Sequence, residues 1–517
     1  MSRKNGGIIG PANTPVGGLF KGVAGGVWRM NDVANFVSNS QWPSGPQSID
    51  NSCRFNDDSS DYLNRTNTGA GNRRTFTYSF WIKRGAVGTD QRVIEASTDS
   101  TGNEVDGLEF TSDDIRIISY HSSTDIQLIT NQKFRDVSAW YHIVVAFDTT
   151  QAVAANRVKL YVNGTQVTSF STETYPNQNY DTYFNNNSDE IYIGRRIDGG
   201  GSPSGEYVDA YLAEFVLIDG QALDPTSFGE FDTTTGIWKP KKIGSFASAG
   251  DNSFYLDFKD SSNLGNDASG LNNDFTATNL TSIDQSTDTC VVNYATLNPL
   301  ASSTDTSNNV LKEGNLQVDH GDNNYDGGTA TFGFLNNMTG KWYWEIRNNA
   351  NTGSSNQGEF AGISYIGNSS STVYDDFGTE SYLLATTGSN IIYKKDNSAV
   401  WTLTSPSGFS AGDIINVALD LDNSKIWFGL NGTFYDMSDG STDGDPTGSN
   451  GATVSRDYDY LPYFRIYGNT AQLDFNFGSP AFSISSGNSD ANGFGNFEYA
   501  VPSGYYALNT SNLNTYG

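Results

Sequence analysis

Three acidic residues at short spacing are the first candidates for chemistry. Glu104, Asp106 and Glu109 stand in the run Glu104-Val105-Asp106-Gly107-Leu108-Glu109. Paired carboxylates serve as nucleophile and acid/base in retaining glycoside hydrolysis when they lie about 5–5.5 Å apart. A bulged strand carrying Glu104 and Glu109 would supply that spacing. The flanking residues argue for a solvated hairpin instead. Residues 97–103 (STDSTGN) read as a turn, Gly107 interrupts a strand, and the register of 107–110 (GLEF) turns Leu108 and Phe110 toward a core. The three histidines, His121, His142 and His320, are scattered without paired spacing. His142 reads as a hydrogen-bonded core residue. No catalytic constellation is assembled by the sequence, and no enzyme is expected.

Binding chemistry has more candidates. Tyr175, Tyr180, Tyr183 and Phe184 fall in an Asn-rich stretch (TYPNQNYDTYFNNN), Tyr374 in TVYDDF, and Tyr458 and Tyr460 in RDYDY. Aromatic faces in loops stack on sugar C–H surfaces while Asn and Asp accept hydroxyl donors, so these residues suit a glycan. Packing against neighbouring subunits, where Tyr is enriched, explains them equally well. Asp99, Asp106 and Asp189, with Glu190, could hold calcium at a loop rim. Asp319, Asp322 and Asp326, or Asp439, Asp443 and Asp445, could do so further along. None has EF-hand spacing. Otherwise no cofactor is expected.

The elements that must carry these residues are strands. The chain has 517 residues with 55 Gly, and Asn, Asp, Ser and Thr are abundant. Short apolar runs alternate with turn residues. The expected fold class is all-β, two tandem β-sandwiches of jelly-roll type, with an extended N-terminal arm. Net charge is 30 − 58 = −28, which repels phosphate backbones and anionic surfaces and excludes nucleic acid as the expected partner. No apolar stretch of about 18 residues exists, so no membrane insertion is expected. Cys53 and Cys290 form no CxxC and suggest no disulfide framework.

Residues 1–45 are Gly-rich with isolated apolar anchors, Ile8, Ile9, Phe20 and Trp28. They read as a docking arm that orders against a partner, or as a loose terminus. A first sandwich is expected over 46–240, from the runs at 75–84, 107–119, 140–148, 157–164, 190–196 and 210–220. Asn163-Gly164 is a type I′ hairpin signal. Residues 241–300 read as a connector, 301–510 as a second sandwich, and 511–517 as a C-terminal tail.

The first sandwich resembles the laminin-G/concanavalin A-like jelly roll. The marks are Phe80-Trp81, Trp140-Tyr141-His142 leading to Asp148, the hairpin Leu160 to Gly164, and Ala213-Glu214-Phe215. On such a fold the E-x-D-x-x-E pattern resembles the nucleophile and acid/base pair of retaining endoglucanases. The second sandwich resembles a SPRY domain through Trp342 to Glu345, Ile415 to Asp422, Trp427 to Gly432, Leu461 to Tyr463 and Asn476 to Gly478. The ending VPSGYYALNTSNL (501–513), the opening GGIIGP (6–11) and FGEFDTTTGIWKPKK (228–242) resemble structural proteins of marine bacteriophages. That resemblance implies a virion protein assembled in the host cytoplasm, expected to be a homo-oligomer. A tail fibre or adhesin recognising host-surface carbohydrate is the leading expectation. A capsid decoration or head-fibre protein binding other virion proteins is the alternative, and a glycan depolymerase the third.

Overall fold

The computed structural model describes residues 49–98, 104–197, 206–302, 309–321, 325–350, 360–365, 380–387, 390–396, 398–403, 408–468 and 470–517. The expected docking residues Ile8, Ile9, Phe20 and Trp28, the ligand candidate Tyr374 and the metal candidates Asp99 and Asp322 lie outside them. The fold is nearly all-β, with 46% strand and 4% helix, in antiparallel sheets of concanavalin A-like jelly-roll type.

The strand Thr75–Arg84 (TFTYSFWIKR) organises the first sandwich. Its aromatic and β-branched residues suit a pleated surface buried on both sides. Phe76, Tyr78, Phe80 and Ile82 enter the main core, while Trp81 turns to the opposite face. It pairs with Tyr141–Asp148 and Ala210–Asp219. In Tyr141–Asp148, Ile143, Val145 and Phe147 face the core, and His142 and Val144 face outward under a covering layer. The sheet continues outward through Val158–Val162 on one side and Ser52–Phe55 on the other. The second sheet runs in the order Phe170–Thr174, Thr124–Lys133, Asp114–His121, Glu104–Thr111, Gln91–Ser97, Glu190–Ile193, Tyr62–Thr66 and Thr276–Thr278.

Asn163 and Gly164 both adopt positive φ, 47° and 77°, as the hairpin signal requires. At Gly164 a Cβ would also meet the Trp238 ring at 2.3 Å. Trp238 belongs to the hairpin Gly229–Phe231 and Trp238–Pro240 that covers this face.

Residues 241–300 do not stand apart from the first sandwich. Phe254–Leu256 pairs with Ala210–Asp219, Thr276–Thr278 with Tyr62–Thr66, and Gln285–Ser286 with Ser52–Phe55. Both sheets are therefore completed by late sequence. Residues 287–294 then wedge between the two sandwiches. Lys83 Nζ donates to Asp288 Oδ2, Asn293 Oδ1 and the Tyr294 carbonyl at 2.8, 2.8 and 2.9 Å. Trp140 Nε1 donates to Asp288 Oδ1 at 3.1 Å. Arg54, fully buried, reaches Asp284 and Glu313 at 3.2 Å. The Tyr211 hydroxyl donates to the Gly314 carbonyl at 3.0 Å.

The second sandwich packs Trp342, Trp344 and Trp427 at its centre, all 0% exposed. Lys341–Ala350 lies between Ile414–Asp420 and Gln472–Asn476. Glu345, buried on this strand, accepts from the Tyr343 hydroxyl at 2.8 Å and from the backbone N–H groups of Glu498 and Tyr499 at 2.9 and 2.8 Å. The chain end is a helix, Thr510–Tyr516, capped by Asn509 and anchored by Tyr516 stacking on Tyr506 at 3.9 Å. The tail expected over 511–517 is thus ordered against the sandwich.

Candidate functional site

The acidic run folds as a strand, correcting the solvated hairpin. Glu104–Thr111 pairs in unbroken register with Asp114–His121, from Glu104 opposite His121 to Thr111 opposite Asp114. Gly107 does not interrupt it. A Cβ there would meet Arg92 Nη1 at 2.4 Å, so glycine leaves room for the arginine to cross the strand. The unbroken register decides what the carboxylates can do. Alternate side chains point to opposite faces of a sheet, and Glu104 and Glu109 are five residues apart with no bulge between them. They therefore face opposite ways and do not form the retaining pair.

Glu109 is sealed at 0% exposure between two arginines. Its Oε2 lies 2.6 Å from Arg92 Nη2, and its Oε1 pairs with Arg116. Arg92 also lies 3.4 Å from Glu95, whose carboxyl burial pushes up to about 7. This is a structural charge network.

On the opposite face, Glu104 and Asp106 meet His121, Tyr180 and Tyr183 at one end of the sandwich. Asp106 accepts the Tyr183 backbone N–H, and its Oδ1 lies 3.3 Å from His121 Nε2. The other ring nitrogen, Nδ1, is 2.7 Å from the Tyr180 hydroxyl, which also contacts Ser119 Oγ at 2.7 Å and Asp125 Oδ2 at 3.3 Å. The Tyr183 hydroxyl donates to Glu104 Oε2 at 2.7 Å, and its ring centroid stands 3.9 Å from that of His121. Burial, with the neighbouring carboxylates, pushes both phenols well above their ordinary range. They are donors here. Glu104 and Tyr180 are half-buried and the His121 side chain is 18% exposed, so this end of the network reaches solvent, whereas Asp106 and Tyr183 are buried at 2% and 8% exposure and support it from the core side, which corrects Tyr183 as a direct ligand contact.

Sequence reasoning selected Glu104, Asp106, Tyr180 and Tyr183 but missed His121. The alternation of Glu104/Asp106 and Ser119/His121 across one hairpin was the available signal. Tyr175 is half-buried, donates to Glu173 at 2.9 Å, and its hydroxyl is pushed up to about 12 by burial and that carboxylate. Phe184 is a correction. It is 0% exposed and packs on Phe76 and Tyr78 at 5.3 and 5.6 Å, so it offers no face to a ligand. Tyr460 is likewise buried at 1% exposure, with its hydroxyl on the Ser455 carbonyl. Tyr458 packs edge-on against Tyr365 at 4.9 Å and remains half-buried.

Each described calcium candidate already has a protein partner. Asp106 is engaged by His121 and Tyr183, and Asp189 Oδ2 accepts from Asn186 at 2.7 Å. Asp319 pairs with Lys312 at 3.0 Å, and buried Asp326 lies 3.5 Å from His320. Asp439, Asp443 and Asp445 accept from Ser441 and Thr447 within their own turns. Among the described residues no group of three His, Cys, Asp or Glu is arranged to hold a metal.

His142 occupies a separate, closed site. Trp238 Nε1 donates to its Nδ1 at 2.9 Å. Indole is a donor only, so Nδ1 is the bare nitrogen and Nε2–H donates to Ser79 Oγ, also at 2.9 Å. Burial pushes the ring's pKa down to about 3.

A family model described as the concanavalin A-like lectin/glucanases superfamily matches residues 57–226. Residues 57–226 are thus similar to a laminin-G/concanavalin A-like domain, and a SPRY domain is among the solved structures similar to the chain. The SPRY domain of human HERC1 is 20% identical, covering 35% of this chain and 96% of its own, with a TM-score of 0.25. A heptameric SAP-like pentraxin from Limulus polyphemus is 16% identical over 41% of this chain and 94% of its own, with a TM-score of 0.29. Mouse laminin alpha1 chain domains LG4-5 are 10% identical over 87% of each chain, with a TM-score of 0.28. No curated protein matches the chain.

Proposed function

We propose that this chain is a non-enzymatic, carbohydrate-binding adhesin, acting as a tail fibre or similar attachment protein of a phage virion. The observation that carries the carbohydrate reading is the cluster of Glu104, His121 and Tyr180 at the solvent-reaching end of the first sandwich, held from beneath by buried Asp106 and Tyr183. It joins carboxylate acceptors to aromatic faces in a pre-organised network, the chemistry sugar hydroxyls and C–H surfaces require. Opposed Glu104 and Glu109 argue against a depolymerase working through that acidic run. The virion assignment rests on the sequence resemblances at 6–11, 228–242 and 501–513, and with it go assembly in the host cytoplasm, homo-oligomerisation and contacts to other virion proteins.

The test is binding of labelled full-length protein to candidate host cells, with and without periodate oxidation of the cells. Saturable binding that periodate destroys supports the adhesin. Absence of binding to every host the phage infects overturns it.

A capsid decoration or head-fibre role is the second reading, favoured by one observation. Phe231 and Ile237 are 50% and 65% exposed on the hairpin whose Trp238 shares a buried cluster with Ile49, the first described residue. An exposed apolar hairpin tip suits docking to another virion protein.

A further inference from the structure

Arg195 follows the strand Glu190–Ile193 and lies on the outer face of the second sheet of the first sandwich, away from the cluster described above. Its guanidinium carbon sits 4.4 Å from the Tyr62 ring centroid and 5.0 Å from that of Tyr192. The two rings are themselves 6.2 Å apart and tilted by 43°. Arg195 is only 9% exposed, and its Nε is buried without a hydrogen-bond partner. Among the described residues it has no ion pair, although the chain carries 58 acidic residues against 30 basic ones. Its neighbour Arg196 pairs with Glu206 at 2.6 Å, and Arg92 with Glu109. The adjacent carboxylate, Glu190, is engaged by the Tyr192 hydroxyl.

A guanidinium removed from water without a counter-ion forfeits hydration that two aromatic faces only partly replace. The missing contact has a defined shape. Guanidinium is a planar fork that matches a carboxylate through two parallel N–H···O bonds, and it keeps that edge available while its face stacks on aromatic rings. Half-buried Tyr62 offers ring surface of the kind that packs on sugar C–H groups, while Tyr192, 7% exposed, backs the guanidinium from beneath; half-buried Asn64 on the neighbouring strand, opposite Tyr192 in register, adds amide donors and an acceptor.

We propose that Tyr62, Tyr192 and Arg195 form a second glycan subsite selective for acidic sugars, with Arg195 taking the sugar carboxylate. This rests on the carbohydrate-binding reading above and names the ligand class. Because the whole chain is strongly acidic, long-range charge disfavours such a glycan. Selectivity must then come from this local pair, which survives at physiological ionic strength, where screening removes interactions between exposed charges beyond about 8 Å.

The experiment titrates full-length protein with fluorescent oligogalacturonate, oligoguluronate and sialyllactose, each beside its carboxyl-reduced neutral counterpart, at 150 mM salt. At least one acidic form is expected to bind tenfold or more tightly than its neutral partner. Arg195→Gln is expected to erase that discrimination. Arg195→Lys, which keeps the charge and the ring contact but loses the fork, is expected to weaken it several-fold with unchanged melting temperature. Equal binding of every acidic and neutral pair by the native protein overturns the subsite, as does undiminished discrimination in Arg195→Gln. Neutral forms that bind and are lost in Tyr183→Ala, without any acidic preference, leave the carbohydrate reading standing and remove only this one. Absence of binding in all arms overturns the subsite and, with a negative cell assay, the adhesin as well.

Discussion

Lys83 and Asp288 form a sealed ion pair, Nζ to Oδ2 2.8 Å, with side chains 1% and 2% exposed. It joins a central strand of the first sandwich to the segment that leads into the second. Burial raises the Asp288 pKa, while Lys83 and the Trp140 N–H favour the carboxylate. The surrounding donors make the ionised form the one this geometry is built for. Removing one partner strands the other charge, so Lys83→Met and Asp288→Ala are each expected to cost about 3–5 kcal/mol. The double variant should cost less than the sum of the two. Urea unfolding of the four proteins checks this.

The two glutamates of the acidic run should separate cleanly. Glu109→Gln leaves buried Arg92 and half-buried Arg116 short of a counter-ion and is expected to destabilise by about 3 kcal/mol or more. Glu104→Gln, at the half-buried end of the strand, is expected to stay within about 0.5 kcal/mol. Chemical denaturation of both variants is the measurement, and equal losses would contradict the opposed faces.

His142 gives a stability slope on the acid side. Its folded pKa of about 3 lies below the unfolded value of about 6.5. The unfolded chain therefore takes up a proton that the folded chain refuses, and stability falls as pH drops below about 6.5. Between pH 7.5 and pH 5 this one ring accounts for about 2 kcal/mol. His142→Gln should lose correspondingly less over that interval, although it starts from lower stability at pH 7.5. Unfolding curves at the two pH values decide it.

Glu214 slopes the other way. Burial pushes its carboxyl up to about 7, and the Tyr255 hydroxyl contacts both its oxygens at 2.7 Å. A folded pKa raised above the unfolded value stabilises the protonated form. That contribution is complete below about pH 4.3 and disappears as pH rises through 7. Glu214→Gln is expected to lose less stability between pH 5.5 and pH 8.5 than the native chain, read as melting temperature.

In the candidate site, Tyr183→Phe removes the donor to Glu104 but keeps the ring beside His121. Cell or glycan binding is expected to fall about tenfold, equivalent to about 1.4 kcal/mol, with little change in melting temperature.

The strands most legible in the sequence are those with uninterrupted apolar character, such as Thr75–Arg84, Tyr141–Asp148 and Lys341–Ala350. Gln91–Ser97 is harder to read because Arg92 and Glu95 break the apolar pattern, and only the charge network with Glu109 explains their burial. Phe184 was misread for the opposite reason. Its Asn-rich surroundings look like an exposed loop, yet the chain dips there to fill space beside Phe76 and Tyr78. The candidate site was half legible. Glu104 and Asp106 stand out as chemistry, but their union with His121 and Tyr180 depends on strand register and on a loop about sixty residues downstream of the hairpin, neither of which a single stretch of sequence encodes.

The pairing of Ser52–Phe55 with Gln285–Ser286 sets an order on the birth of the protein. The family-matched segment ends at residue 226, but a ribosome that has released it has not released the whole first domain. Both sheets still await edge strands made later, and Lys83 awaits Asp288. During that interval the nascent chain carries open sheet edges and an uncompensated cation, the condition under which chains mispair or recruit chaperones. Maturation of the first sandwich is therefore tied to arrival of the segment that begins the second.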